Sequence, residues 1–336
     1  MLPETLKSFS SSTIAKILFS NQAELLAAFY EMQSQFLISR YKMNKSIETS
    51  NILTFLGRNL NLEIVRQREK DLNYNISLNS FLENQHKIQT HGHKIVSIVN
   101  NTGIPKETVR RKVKKLINDQ VIKFDTKNKE YFWNLKENNY EIFTKFMNDD
   151  INSISRFISV IAKYLGLNFK IKYIEEEIKS QYSFYYYHYY TCQLEWMKMW
   201  QTRLRDVDLI FIAIQALIPT LKNSKNLKNI DKNNFHTIVG KSSIPAKENN
   251  ISISANSISQ ISGIPRATCL RKLDKLVNLG MLIREVKTKR YHINQNSSDR
   301  TKHLLKKENI SFTINLFSEF LSVVVSSLSR EKKQSY

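Results

Sequence analysis

Thr102-Gly-Ile-Pro-Lys-Glu-Thr-Val-Arg-Arg-Lys-Val-Lys-Lys-Leu116 decides the fold of this chain, because it returns as Ser262-Gly-Ile-Pro-Arg-Ala-Thr-Cys-Leu-Arg-Lys-Leu-Asp-Lys-Leu276. In each copy a glycine permits a tight turn and a proline suits the first position of the helix that follows. Apolar residues then recur every three to four positions, the spacing of a helix with one buried face. Each copy reads as the turn and second helix of a helix-turn-helix. Gly103 and Gly263 stand 160 residues apart, and that register runs well beyond the motif.

Ser97 and Ile98 match Ser257 and Ile258, and Arg111, Lys112, Lys115 and Leu116 match Arg271, Lys272, Lys275 and Leu276. Lys127, Lys129, Tyr131 and Asn134 match Lys287, Lys289, Tyr291 and Asn294 without a gap. Weaker matches reach upstream to Tyr30 and Tyr190 and downstream to Phe157 and Phe317. An unbroken offset of this length implies that the whole chain is duplicated. The expected domains are a first repeat over 1–165 and a second over 166–336.

In the first repeat the spacing predicts a long helix over about Thr13–Lys42, a second over Thr49–Gln67, and a polar loop or small excursion over Asn73–Gly92, with a short strand near Lys87–Thr90. The motif covers about 94–119, a two-stranded wing about 121–135, and a last helical region Asn139–Leu165. The second repeat predicts helices over Glu175–Arg205 and Val207–Lys222, then a polar stretch over Lys222–Asn250. Its motif lies at about 256–279, its wing at about 281–293, and a closing helix at Ser297–Leu328 with a frayed tail after it. The expected fold class is mainly α with small β wings, as two tandem winged-helix repeats forming a pseudo-two-fold, covalent "dimer".

The 336 residues carry 51 Lys and Arg against 30 Asp and Glu, a formal charge of +21. A balance this basic favours a polyanionic partner, nucleic acid first and an anionic membrane surface second. Lys, Asn and Ile are abundant, as in chains from AT-rich genomes, so the placement of Arg and Lys weighs more than their number. Two cysteines, Cys192 and Cys269, make no disulfide framework and fit a reducing cytosol. The N-terminus lacks the pattern of a signal peptide. The apolar stretches Val207–Leu221 and Ile310–Leu328 read as too short and too interrupted to span a bilayer.

A recognition helix buries one stripe and offers the other to the major groove. In the first copy Val109, Val113, Leu116 and Ile117 form the buried stripe, with Ile104 plugging the turn, and Lys106, Arg110 and Lys114 face outward beside Arg111. In the second, Cys269, Leu273, Leu276 and Val277 are buried and Arg266, Leu270 and Asp274 face outward beside Arg271 and Lys272. Thr108 and Thr268 are placed for phosphate contacts near the helix starts, and the arginines for guanine edges or backbone. Each wing tip is basic, with Lys127 and Lys129 in one and Lys287, Lys289 and Arg290 in the other. The second copy has lost two basic positions of the outward stripe, so the two halves are expected to read different half-sites, the first dominating affinity.

Other features read as structure. The aromatic run Tyr182–Trp200 suits a helix–helix interface between the repeats better than a ligand or base-stacking site. His86, His91, His93, His188 and Cys192 complete no metal-ligand spacing, and no phosphate-binding glycine loop or nucleophile motif is present. No catalytic site, cofactor or metal is expected.

The Gly-Ile-Pro-(Lys/Arg)-x-Thr-x-x-Arg string resembles the motif of the IclR family of bacterial winged-helix transcription regulators. The order of elements (long helix, helix, helix-turn-helix, wing, closing helices) is similar to the MarR family. The MarR resemblance implies a fold in which two subunits dimerise through first and last helices and each places one helix in DNA. Here the two repeats would stand in for the two subunits, as a monomeric pseudo-dimer or within a further homodimer. The polar insertions before each motif depart from that pattern. The expectation is a cytoplasmic, nucleoid-associated regulator binding double-stranded DNA, with a small-molecule effector left open. Plasmid-type replication initiators with tandem winged helices, and interaction scaffolds that bind no DNA, are the rivals.

Overall fold

The structure is a computed structural model and describes residues 9–88, 90–224, 251–294 and 307–334. Most of the polar stretch to Asn250 and the start of the closing helix expected from Ser297 lie outside the described residues. The described chain is mainly helical with two small antiparallel hairpins.

Helix α1 (Ser11–Ser20) is followed by α2 (Gln22–Asn44), α3 (Ile47–Lys70) and the short α4 (Leu78–Asn84). The first motif holds α5 (Ile95–Thr102) and α6 (Lys106–Asn118), then strands β1 (Ile122–Asp125) and β2 (Glu130–Trp133) and helix α7 (Tyr140–Tyr164). Next come α8 (Ile171–Ser180), α9 (Tyr182–Leu204) and α10 (Val207–Ser224). The second motif holds α11 (Ala255–Ser262) and α12 (Arg266–Asn278), then β3 (Leu282–Arg284), β4 (Tyr291–Ile293) and the closing helix α13 (Lys307–Gln334).

The long first helix expected in each half is two helices. The break falls at Asn21 (φ −136°) in one half and at Gln181 (φ −112°) in the other. Asn21 explains the first break, because its amide Nδ2 donates to the Ile17 carbonyl at 2.9 Å and so caps α1 in place of a continuing backbone. The described residues of the strand expected near Lys87–Thr90 form none; beyond them His93 bridges Tyr131, the two exchanging both backbone hydrogen bonds at 3.0 Å. The excursion before it carries α4, whose N-cap Ser77 accepts from the Ser80 amide at 3.2 Å. At the C-terminus α13 continues to Gln334, past the expected start of a frayed tail.

The chain divides into two compact units, each assembled from separated segments. One, here the α6 unit, comprises Leu37–Asn152 and Lys172–Val207. The other, the α12 unit, comprises Met1–Phe36, Ser153–Ile171 and Asp208–Tyr336. Each unit draws on residues from both sides of the boundary expected at 165/166. The first motif is completed by a helix from the other half of the sequence. In the α6 unit, α9 lies against α3, α4 and α5, and Leu194 joins Ile52, Phe55, Leu56, Ile98 and Val109 in one core. In the α12 unit, α1 packs on α13, and the rings of Phe29 and Phe317 stand edge-on at 4.8 Å. The reason is visible in α9, where Tyr182, Tyr185, Tyr186, Tyr189, Leu194, Trp196 and Met197 are all buried. A helix apolar on every side must be enclosed by several neighbours.

Glu308–Arg330 of α13 is long and apolar enough, by length and composition, to cross a membrane, contrary to the reading of Ile310–Leu328 as too short. Ile314, Phe317, Phe320, Leu321, Val324, Val325 and Leu328 of this helix are buried within its unit.

Candidate nucleic-acid interface

Backbone features recur between the halves at the interval seen in the sequence. In the first motif Thr102 Oγ1 donates to the Ile98 carbonyl at 2.7 Å and accepts from the Ile104 amide at 3.3 Å. Ser262 does the same with Ile258 and Ile264, at 2.7 and 3.1 Å. Gly103 and Gly263 adopt φ +71° and +75°, and their amides close onto Val99 and Ser259 at 2.8 Å. This left-handed C-cap ends the first helix of each motif and turns the chain sharply. Pro105 and Pro265 stand one residue before their helices, not at the first helical position; their carbonyls accept from Val109 and Cys269 at 3.0 Å.

The second helices leave their core through another shared turn. Gln120 and Gly280 adopt φ +57° and +72°, and the amides of Val121 and Met281 reach back to Leu116 and Leu276 at 2.9 Å. Asn134 and Asn294 then pin the hairpins, each donating its side-chain amide to the carbonyl of residue 120 or 280, at 3.0 and 2.9 Å. The hairpins pair Ile122 with Trp133 and Leu282 with Ile293 at their bases. At the first tip Asp125 accepts from the Lys127 amide at 2.8 Å and from Asn128, and these bonds hold its carboxyl below the usual carboxylate range. Lys129 and Lys289 close the two tips with φ +55° and +56°.

On α6, Val109, Val113 and Leu116 are buried, Thr108 is half-buried, and Lys106, Arg110, Arg111 and Lys114 are exposed. Lys127 and Lys129 are exposed at the hairpin tip of the same unit. Arg110 also pairs with Glu107 at 2.6 Å, an exposed contact one helical turn apart that a phosphate or base could displace at little cost. On α12, Cys269, Leu273 and Leu276 are buried, Thr268 and Leu270 are half-buried, and Arg266, Arg271 and Asp274 are exposed. Lys287 and Lys289 are exposed at the second tip.

Two residues picked from the sequence are held differently. Lys272 reaches Asp208, at the start of α10, with Nζ 3.4 Å from the carboxylate and the side chain only 13% exposed. Arg290 turns back from its hairpin, donating Nε to Ser252 Oγ at 3.0 Å and Nη2 to the Ser252 carbonyl at 2.6 Å. Both guanidinium and ammonium groups are spent on holding the motif together. The hairpins also expose Lys123 on β1, and Arg284 on β3, whose guanidinium lies 5.8 Å from the Tyr291 ring. Strand alternation beside the buried Ile122 and Leu282 is the signal that places Lys123 and Arg284 off the core.

The aromatic run of α9 is core, as expected for a helix interface, with Tyr187 and His188 half-buried at its edge. Among the described residues no group of three His, Cys, Asp or Glu is placed to hold a metal ion. The α6 unit contains a mainly apolar cavity of about 130 Å³ beneath the hairpin base, lined among others by Arg40, Leu53, Trp133, Ile142 and Tyr190. Comparison with protein-family models, curated proteins and solved structures finds no match for this chain.

Proposed function

We propose that this chain is a double-stranded-DNA-binding protein, a transcription regulator built of two winged helix-turn-helix repeats. The observation that carries the reading is the pairing, made twice, of a glycine-turned helix that exposes two arginines with a hairpin whose tip is basic. In this reading the lysines of the hairpin tips and the hydroxyls of Thr108 and Thr268 contact phosphates and set register. Arg110, Arg111, Arg266 and Arg271 reach base edges in the major groove. The repeats play the parts of the two subunits of a MarR-like dimer, in a cytoplasmic, nucleoid-associated protein that performs no catalysis.

The experiment is a titration of the chain with a pool of random duplexes at several salt concentrations. If phosphates are neutralised, the logarithm of affinity falls linearly with the logarithm of salt, by about 0.9 per phosphate contact. Absent or salt-independent binding would favour the protein-interaction scaffold. That second reading has its own support at the second hairpin, where Val286 is 81% and Ile283 39% exposed. Selection of closely repeated sites instead of a single paired site would identify a replication initiator.

A further inference from the structure

The two outward stripes differ in chemistry, and the difference has a consequence for the DNA they would accept. On α6 the stripe Lys106, Arg110, Lys114, with Arg111 beside it, is made of hydrogen-bond donors, and the flanking carboxylate of Glu107 is paired with Arg110. The major-groove edge of guanine offers two acceptors, O6 and N7, and suits such a surface. On α12 the same positions hold Arg266, Leu270 and Asp274: a donor, an apolar side chain and an acceptor. Asp274 forms no ion pair among the described residues and is exposed, and Leu270 is half-buried outside the packed stripe of Cys269, Leu273 and Leu276.

An exposed carboxylate on a DNA-facing helix repels phosphates unless it meets a donor. The cytosine N4 amino group is the donor that Asp and Glu accept from in the major groove, and the thymine C5 methyl is the apolar group found there. Resting on the DNA-binding reading above, we infer that the two helices require unlike half-sites. Helix α6 takes a guanine-rich one; α12 takes one in which a thymine methyl packs on Leu270 and a cytosine N4 donates to Asp274. The preferred site is then not a palindrome, and its orientation dictates the orientation of the bound chain.

The test is selection of bound sequences from random duplex DNA with the full chain, followed by single-position substitution in the selected duplex. The expected motif has two dissimilar halves. Replacing one thymine by uracil in the α12 half weakens binding roughly fourfold, the factor for withdrawing one buried carbon from contact. Leu270→Ala removes that sensitivity, and Asp274→Asn moves the preference at one position from cytosine to adenine, which Asn recognises through N6 and N7. Thermal unfolding of both variants confirms an intact fold. A motif of two identical halves, indifference to uracil at every thymine, or an unchanged motif for Asp274→Asn overturns the inference while leaving DNA binding in place. Failure to bind any duplex removes both it and the reading it rests on.

Discussion

Lys272 Nζ lies 3.4 Å from Asp208 Oδ2 at the start of α10, and the pair repeats the contact of Lys112 with Glu48 at 3.7 Å at the start of α3. Lys112 also donates to Ser46 Oγ, the N-cap of α3, at 2.7 Å. In both motifs a lysine on the second helix thus ties it to the N-terminal turn of a supporting helix. Lys272→Ala and Lys112→Ala are expected to lower stability by about 1 kcal/mol each, measured by urea denaturation. Arg111→Ala and Lys114→Ala, at exposed positions, are expected to leave stability within about 0.5 kcal/mol. On the DNA-binding reading Arg111→Ala relaxes specificity at one base position, whereas Lys127→Ala, at the hairpin tip, lowers the salt slope by about 1.

The turns between helix and hairpin carry a second asymmetry, Gln120 with φ +57° against Gly280 with φ +72°. Residues other than glycine pay about 1–2 kcal/mol in this left-handed conformation. Gln120→Gly is therefore expected to stabilise the chain by up to about 1 kcal/mol after the entropy of glycine is deducted, and Gly280→Gln to destabilise it by a similar amount. Gly103→Ala costs more than the conformation alone, because the new Cβ would stand 3.3 Å from Lys198 Cγ. Midpoints from thermal unfolding of the three variants give the order.

Arg40 Nη2 lies 2.8 Å from Asp150 Oδ2 with both residues buried in the α6 unit, and it also donates to Tyr190 Oη at 3.1 Å. Burial pushes the Asp150 carboxyl up to about 6, while the Arg40 charge pulls it down. The ordinary value is 3.8, so between roughly pH 4 and 6 the folded chain holds a proton that the unfolded chain has released. The contribution of Asp150 to stability is therefore largest below that window and declines as pH rises through it, by on the order of 2–3 kcal/mol. Asp150→Asn is expected to flatten this slope, at the cost of leaving the Arg40 charge without its counter-ion. Unfolding free energies at pH 4.5 and 6.5 for both proteins measure the difference.

The exchange of helices predicts the behaviour of a cut chain. A fragment of residues 1–165 keeps α3 but loses α9, and with it the burial of Phe55, Leu56 and Ile98 against Leu194. Such a fragment is expected to be poorly folded or to self-associate. Mixing it with 166–336 is expected to restore the helical content of the intact chain, followed by circular dichroism and size-exclusion chromatography. Two independently folded, monomeric fragments would contradict the exchange.

Much of the local structure was legible in the residues themselves. Gly103 announces a turn because few other residues tolerate its φ of +71°, and Val109, Val113 and Leu116 announce a helix with one buried side because their spacing matches 3.6 residues per turn. The exposed stripe followed from the same periodicity. The partners of Lys272 and Arg290 were not legible, for a physical reason: the sequence reveals that a long cation leaves the core, but not whether a carboxylate or carbonyl from a distant segment waits within its reach.

The sequence by itself determined the two motif helices, the hairpins and the recurrence of the motif at a constant interval, because each of these depends on contacts between near neighbours or on direct identity of residues. Only the tertiary structure decided which half supplies the helix that covers the first motif. The aromatic residues of Tyr182–Leu204 require burial, and the hydrophobic effect that buries them is non-directional. It favours any apolar surface of matching shape. The surface that encloses Leu194 and its neighbours belongs to α3 and α5 of the other half, and no periodicity within α9 names that partner.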